Sequence, residues 1–154
     1  MHDVITKDKA LSKAMGYCAY RERSSFELIE RLKKWGVMKA HISEITQYLI
    51  EEKFIDDQRF TNAFISGKFS QNKWGRVKIS IELRSKGISK EMILKGMNEI
   101  SDKDYQECLQ KLSEDKIKNT KGKNTYVIQN KVANYLQRKG FESELIWKAI
   151  NDLQ

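Results

Sequence analysis

Residues 83–87 read LRSKG, and the same pattern of a leucine, three intervening residues and a glycine recurs as LKKWG at 32–36 and as LQRKG at 136–140. The three glycines stand 51 and 53 residues apart. Patterns that recur at a nearly constant spacing of this size are typical of tandem structural units. Chance recurrence is the alternative, because helix–glycine–helix segments are common. We expect three copies of one unit.

Apolar residues occupy matching positions around each glycine. The residue four positions before each leucine shares a helical face with it and is apolar in all three copies. The residue after each glycine is also apolar, as expected where a helix ends at a left-handed glycine and the chain packs back on the last turn. These positions hold Leu28, Ile79 and Val132 before the leucines, and Val37, Ile88 and Phe141 after the glycines.

Two further helices complete each unit. Apolar residues spaced three and four apart predict a helix after each stop, over 42–54, 88–100 and 141–153. Apolar stripes predict a helix before each pair; they contain Leu11, Met15 and Cys18, then Phe60, Phe64 and Phe69, then Tyr105, Cys108, Leu109 and Leu112. The predicted fold is all-α. Three tandem three-helix repeats, 8–54, 55–100 and 101–154, stack into an elongated, curved molecule.

Polar residues mark two of the predicted helix starts. Ser24 and Glu27 have the spacing of a capping box, and Asp56 can cap a helix flanked by apolar residues at the staple positions, Ile55 and Phe60. Asp56 and Asp57 form the best acidic pair in the chain. We interpret this pair as a helix cap that also interacts with the helix dipole, and metal binding or nuclease chemistry is the alternative.

The length and composition agree with an all-helical protein of one ordinary domain. The 154 residues contain no proline, so glycines and polar caps must form the turns. Two cysteines outside any CxxC pattern, Cys18 and Cys108, favour neither a disulfide framework nor a zinc site. These isolated cysteines, the charged N-terminus and the lack of a long apolar run predict a reduced, cytoplasmic protein. Membrane binding is not expected, because no basic helix is paired with an exposed bulky apolar face.

Positive charge is concentrated in two stretches at equivalent places in the repeat. The net charge is +8. Residues 66–86 contain Lys68, Lys73, Arg76, Lys78, Arg84 and Lys86, with Glu82 as the one acid. Residues 116–139 contain Lys116, Lys118, Lys121, Lys123, Lys131, Arg138 and Lys139, with no acid. Matching basic stretches on a repeating scaffold predict a cationic stripe that binds a polyanion, and an ordinary solvated surface is the alternative.

Aromatic residues accompany the basic stretches. Phe69, Trp74 and Tyr126 are candidates for stacking on exposed bases, and the competing interpretation is that they belong to the core or to hinges.

The residues that catalysis needs are scarce. His2 is near the terminus and His41 is expected in a connection between helices, so a histidine base or metal cluster has little material. The phosphate-loop, dinucleotide-binding and nucleophile-elbow motifs do not occur. We predict a protein that is not an enzyme, with no catalytic residue, bound metal or cofactor.

Three segments carry a resemblance to a known family: AYRERSSFELIERLKKWG (19–36), FIDDQRFTNAFISGK (54–68) and WGRVKISIELRSKGIS (74–89). They closely resemble the RecX family of recombination regulators. The matching positions are Arg21, Ser24, Glu27 and Leu28, then Ile55, Asp56, Asp57, Arg59 and Phe60, then Gly75, Arg76, Gly87 and Ile88. The resemblance covers about 10–100, and in the last third the repeat pattern alone carries it.

The resemblance implies a monomeric stack of repeats that binds the groove of a RecA filament on single- or double-stranded DNA. It implies inhibition of the filament's ATP hydrolysis, strand exchange and co-protease activity, in DNA repair, recombination and the SOS response. The candidate filament- or DNA-binding residues are Lys68, Lys73, Arg76, Lys78, Arg84, Lys86, Lys121, Lys123, Lys131, Arg138 and Lys139. Whether they contact DNA phosphate or RecA acids is left open. The alternative function is a stand-alone helical DNA-binding protein that acts through its basic surface.

Overall fold

The structure, a computed structural model, describes residues 4–153; His2 lies outside them. Within that range the chain forms nine helices and no strand. The helices are α1 (Lys7–Tyr20), α2 (Ser25–Lys34), α3 (Lys39–Glu51), α4 (Asp57–Ser70), α5 (Arg76–Ser85), α6 (Lys90–Met97), α7 (Asp102–Lys118), α8 (Thr125–Arg138) and α9 (Ser143–Asn151). The all-α prediction is confirmed.

Consecutive helices pack in threes, and we call α1–α3, α4–α6 and α7–α9 the first, second and third groups. The extensive helix–helix contacts lie within these groups. Each group has its own buried aliphatic cluster, since the apolar stripes of its three helices face one another. The largest fully buried aliphatic side chains are Leu28, Leu32, Ile45, Leu49 and Ile55 in the first group's cluster, Ile65, Ile79 and Leu83 in the second's, and Leu136, Ile146 and Ile150 in the third's.

The three glycine stops have the predicted conformation. Gly36, Gly87 and Gly140 are left-handed, with φ of 80°, 77° and 99°. After each glycine the next backbone N–H donates to the carbonyl of the repeat leucine, which completes a Schellman motif. These bonds run from Val37 to Leu32, from Ile88 to Leu83 and from Phe141 to Leu136, at 3.1, 3.1 and 3.2 Å. A purely local signal therefore sets the same turn three times.

Two predicted helix caps, at Ser24 and at Asp56, are present in the structure, and Asp57 has a role different from the predicted one. The Ser24–Glu27 capping box forms, and the Asp56 side chain accepts from the backbone N–H of Arg59. Asp57 is the first residue of α4 and not its cap. Its carboxylate accepts instead from the backbone N–H and hydroxyl of Ser25, at 2.7 and 2.6 Å.

The third helix of each group is shorter than, or shifted from, its predicted range. α3 ends at Glu51 because Lys53 adopts a left-handed φ of 63°. α6 begins only after Ser89, whose side chain accepts from the backbone N–H of Met92 as an N-cap. His41, expected in a connection, lies inside α3.

The structure of residues 4–153 also bears on the membrane-span and cysteine predictions. The described helices include none that is both long and apolar enough to cross a membrane. Cys18 and Cys108 are free thiols, and burial raises the pKa of each.

Candidate polyanion-binding surface

The contact between the second and third groups positions the first basic stretch. The backbone N–H of Gly75 donates to the carbonyl of Lys139 at 2.7 Å, and that of Val77 donates to the carbonyl of Gly140 at 2.9 Å. A side chain on Gly75 would overlap the backbone at Gly140, so only glycine permits this approach. The start of α5 is therefore fixed against the α8–α9 turn, which brings the two basic stretches together.

Arg76 is placed inside this contact, between two carboxylates. Its guanidinium lies 3.0 Å from Asp102 and 3.0 Å from Glu142, and 3.8 Å from the ring centre of Tyr105. Arginine suits such a site because its planar group pairs with several acceptors and stacks on an aromatic face. The sequence predicted a filament- or DNA-binding role for Arg76. In the structure its charge is already compensated by the third group.

Tyr105 completes the same network. Its hydroxyl accepts from the backbone N–H of Arg76 at 2.9 Å and donates to Glu142. Burial, and then the hydrogen bond to Glu142, raise the pKa of Tyr105 far above its usual range. The phenol therefore stays neutral and keeps its donor hydrogen bond to Glu142, and the network joins the second group to the third.

Four lysines from both basic stretches lie around the contact between the second and third groups, two of them over the ring of Trp74, and we call Lys68, Lys73, Lys78 and Lys139 the junction cluster. The ammonium groups of Lys68 and Lys78 lie 4.8 and 4.2 Å from the Trp74 ring centre. The ammonium of Lys139 donates to the carbonyl of Asn72 at 2.6 Å, on the loop that also carries Lys73. Residues of the two basic stretches therefore meet at this point, and their role in binding a polyanion stays a prediction.

The charges of the junction cluster repel one another. Burial lowers the pKa of Lys139, and the neighbouring charges of Lys78 and Lys73 lower it further. A polyanion that approached the cluster would relieve this repulsion.

The rest of the first stretch extends along the second group. Lys86 lies with Lys68 over the ring of Phe64, at 6.0 and 5.5 Å from its centre. Arg84 is exposed in the last turn of α5. Aromatic rings and lysines therefore alternate from Lys86 to Lys78 along one surface.

Most of the second stretch surrounds a separate concavity in the third group, which we call the α8 pocket. It is open to solvent, has a volume of about 410 Å³, and lies between the end of α7, the α7–α8 connection and α8. Its lining residues are Lys116, Asn119, Thr120, Lys121, Lys131, Asn134, Tyr135 and Arg138. Lys123 is exposed on the same connection and is not among the lining residues.

The aromatic candidates divide among three environments. Phe69 stacks on Tyr105 with ring centres 5.8 Å apart and belongs to the core between groups. Trp74 is half-buried beneath two ammonium groups, an arrangement that orders the lysines. Tyr126 is 73% exposed. Of the three, only Tyr126 presents a largely open ring for stacking.

The three residues that hydrogen-bond to Arg76 were not identified from the sequence. Asp102, Tyr105 and Glu142 lie 26, 29 and 66 residues from Arg76 along the chain. The repeat register could have revealed Asp102, because Asp102 begins α7 as Asp57 begins α4.

Comparison with known proteins places the chain in one family. Models of the first, second and third three-helix domains of RecX match residues 10–49, 56–97 and 103–150. The chain belongs to the RecX family. It is 32% identical over 144 residues to the regulatory protein RecX of Bacillus licheniformis, a match that covers 94% of this chain and 55% of the relative. The corresponding values for Bacillus subtilis are 30% over 146 residues, 95% and 55%.

These RecX relatives are longer than the chain, which spans about half of their length. Solved RecX structures share its fold. The crystal structure of RecX from Lactobacillus salivarius gives a TM-score of 0.87 at 24% identity and covers 96% of both chains. Another RecX crystal structure gives 0.86 at 23% identity, covering 95% of this chain and 73% of the other. The resemblance inferred from the sequence is confirmed, including the last third.

Proposed function

We propose that this RecX-family chain binds a RecA filament on DNA and inhibits its ATP hydrolysis, strand exchange and co-protease activity. It acts by binding and not by catalysis, and it stabilises one state of the filament at the expense of another. This role belongs to DNA repair and recombination. The proposal rests on one combined observation: the chain contains three RecX domains, and two cationic sites, the junction cluster and the α8 pocket, are open to solvent.

The cationic sites fit a filament because a filament offers regularly spaced negative charge. DNA contributes phosphates and the recombinase contributes acidic side chains, and both attract lysines. The junction cluster and the α8 pocket belong to groups that are fixed to each other by backbone hydrogen bonds. Two sites at a fixed separation favour an extended partner over a small ligand.

The test is the DNA-dependent ATP hydrolysis of preassembled RecA filaments while the chain is titrated in. We expect a dose-dependent fall at chain concentrations well below that of the DNA sites. Inhibition that appears only when the chain saturates bare DNA would instead support the stand-alone DNA-binding alternative, whose affinity must fall steeply with salt.

A charge-reversal variant tests which surface is used. Replacing Lys78, Arg84, Lys131 and Arg138 together by Glu should abolish the inhibition while leaving the helical circular dichroism unchanged. Full inhibition by this folded variant would contradict the cationic-surface proposal.

The matched control reverses the same number of charges elsewhere. Lys34, Lys39, Lys90 and Lys103 are all exposed and lie outside both basic stretches. Because this control has the same net charge as the test variant, retained inhibition would show that position, and not total charge, is required.

A further inference from the structure

The α8 pocket differs from the other concavities of the described chain in the charge of its lining. Four of its eight lining residues are cations and none is acidic. Four other concavities each include at least one carboxylate: Asp152, Asp102, Glu44 with Glu51, and Glu99 with Asp104. The α8 pocket is thus the one among these five that is suited to an anion.

The walls of the α8 pocket are braced by its own cations. The ammonium of Lys131 on α8 donates to the carbonyl of Lys121 at 2.9 Å, which ties the α7–α8 connection to α8. The ammonium of Lys116 on α7 lies 4.3 Å from the ring centre of Tyr135 on α8. These contacts hold charges from three segments around one space before any ligand arrives, and a preorganised site loses less entropy on binding.

We propose that the α8 pocket binds adjacent phosphate groups of a nucleic-acid strand. Four cations exceed what a single protein carboxylate can neutralise, whereas successive phosphates supply one negative charge each. Arg138 adds a planar fork that matches phosphate oxygens, and Asn134 adds an amide donor. The open shape admits a continuous strand and does not require a free end.

The proposal deepens the proposed function, on which it rests for the source of the phosphates: it assigns the α8 pocket to DNA and leaves the junction cluster for other contacts. The pocket and the filament function are tested by different measurements. Binding to DNA is measured without RecA, and inhibition is measured with it.

The first measurement is the anisotropy of a labelled oligothymidylate titrated with the intact chain at several salt concentrations. The test variant combines Lys131→Gln with Arg138→Gln, both exposed positions on α8. We expect its affinity to fall by about tenfold and the slope of log affinity against log salt to become shallower by about 1.4, the value for two lost contacts to a single strand. A slope equal to that of the unchanged chain would overturn the proposal.

The control variant is Lys90→Gln with Lys95→Gln, which removes the same charge from exposed positions of α6. It should keep the salt slope of the unchanged chain. An equal loss in both variants would mean that DNA is attracted by net charge alone, which also overturns the proposal. The charge-preserving pair Lys131→Arg with Arg138→Lys should recover the salt slope and part of the affinity, because it restores both charges but not the planar fork at position 138. Unchanged helical circular dichroism of the Gln variant excludes misfolding as the cause of its loss.

Inorganic pyrophosphate distinguishes the source of the phosphates. If it binds stoichiometrically by calorimetry and the Gln variant loses this binding while oligothymidylate binding is unaffected, the assignment to a nucleic-acid strand is wrong and the pocket serves a free polyphosphate. Competition between pyrophosphate and the oligonucleotide for the same residues supports the proposal.

The RecA titration separates the two proposals. If the Gln variant loses oligonucleotide binding yet inhibits RecA ATP hydrolysis as before, the pocket assignment stands and filament binding uses another surface. If DNA binding is intact but inhibition is lost, the pocket proposal fails and the filament function remains.

Discussion

The junction between the first and second groups and the junction between the second and third use the same positions with different chemistry. In the first, Ser25 at the start of α2 donates to Asp57 at the start of α4. In the second, Arg76 at the start of α5 pairs with Asp102 at the start of α7. The repeat therefore specifies where neighbouring groups meet, while the side chains decide how strongly.

The glycine turns show the same difference in degree. At the first junction, a Cβ added to Gly87 would lie 3.3 Å from the Phe26 side chain, a close contact that Phe26 could relieve by shifting a few tenths of an ångström. At the second, a Cβ on Gly140 would overlap Lys78. The second junction also has two backbone hydrogen bonds between groups, from Gly75 and Val77.

The cores differ in continuity as well. Phe69 and Ile100 pack against the buried clusters of both the second and the third group. The first group's cluster shares none of its residues with the second group's. We infer that the second and third groups unfold together and that the first is the more independent unit. The boundaries at 54/55 and 100/101 remain a proposal that hydrogen exchange can test.

The largest effect is expected from Gly140→Ala. The change forces a left-handed backbone on a residue with a Cβ and overlaps Lys78, so we expect a loss of about 3 kcal/mol in the free energy of unfolding, from conformational strain plus overpacking. Urea denaturation of the second and third groups measures it.

Gly36→Ala is the matched control for this prediction. Gly36 has a similar positive φ, but no heavy atom of the described chain, outside its own neighbours, lies within 4 Å of an added Cβ. Only the conformational strain remains, about 1 kcal/mol. Equal losses at Gly36 and Gly140 would contradict the close packing inferred for the second junction.

A smaller effect is expected from Tyr105→Phe. The change removes a buried hydroxyl that accepts from the N–H of Arg76 and donates to Glu142, so both partners lose a bond in a confined site. We expect a loss of about 2 kcal/mol, within the range for an unsatisfied buried polar group. Faster hydrogen exchange at the start of α5, with α1–α3 unchanged, would locate the effect at the second junction.

The turns were predictable from sequence because their causes are local. A Schellman motif is favoured by a glycine at the left-handed position and by apolar residues four positions before it and directly after it, all within one short segment. The same reasoning identified the cap at Asp56 and the capping box at Ser24. The apolar periodicity, the glycine stops and the caps together predicted the all-α fold.

The surface was less predictable because charge balance depends on distant residues. Arg76 belonged to an acid-poor stretch in the sequence, yet Asp102 and Glu142 reach it from the third group. The gathering of Lys73, Lys78 and Lys139 likewise requires the contact between groups. Their role in binding DNA or RecA stays a prediction.

The smallest effect is expected at the first junction, from Asp57→Ala. If Asp57 were part of the helix cap, as the sequence was interpreted, its loss would cost about 1 kcal/mol, a typical value for a lost cap. The structure gives a different cause, because the Asp57 carboxylate binds Ser25 across the junction while Asp56 caps α4. We again expect a loss of about 1 kcal/mol, now from hydrogen bonds to a half-buried carboxylate.

Ser25→Ala separates the two causes. If Asp57 binds Ser25, the double variant should lose less free energy of unfolding than the sum of the losses in the two single variants. Additive losses would mean that Asp57 stabilises α4 itself and does not bind Ser25 across the junction. The first junction would then be held by the contact between Phe26 and Gly87 and by the ion pair of Arg59 with Glu22.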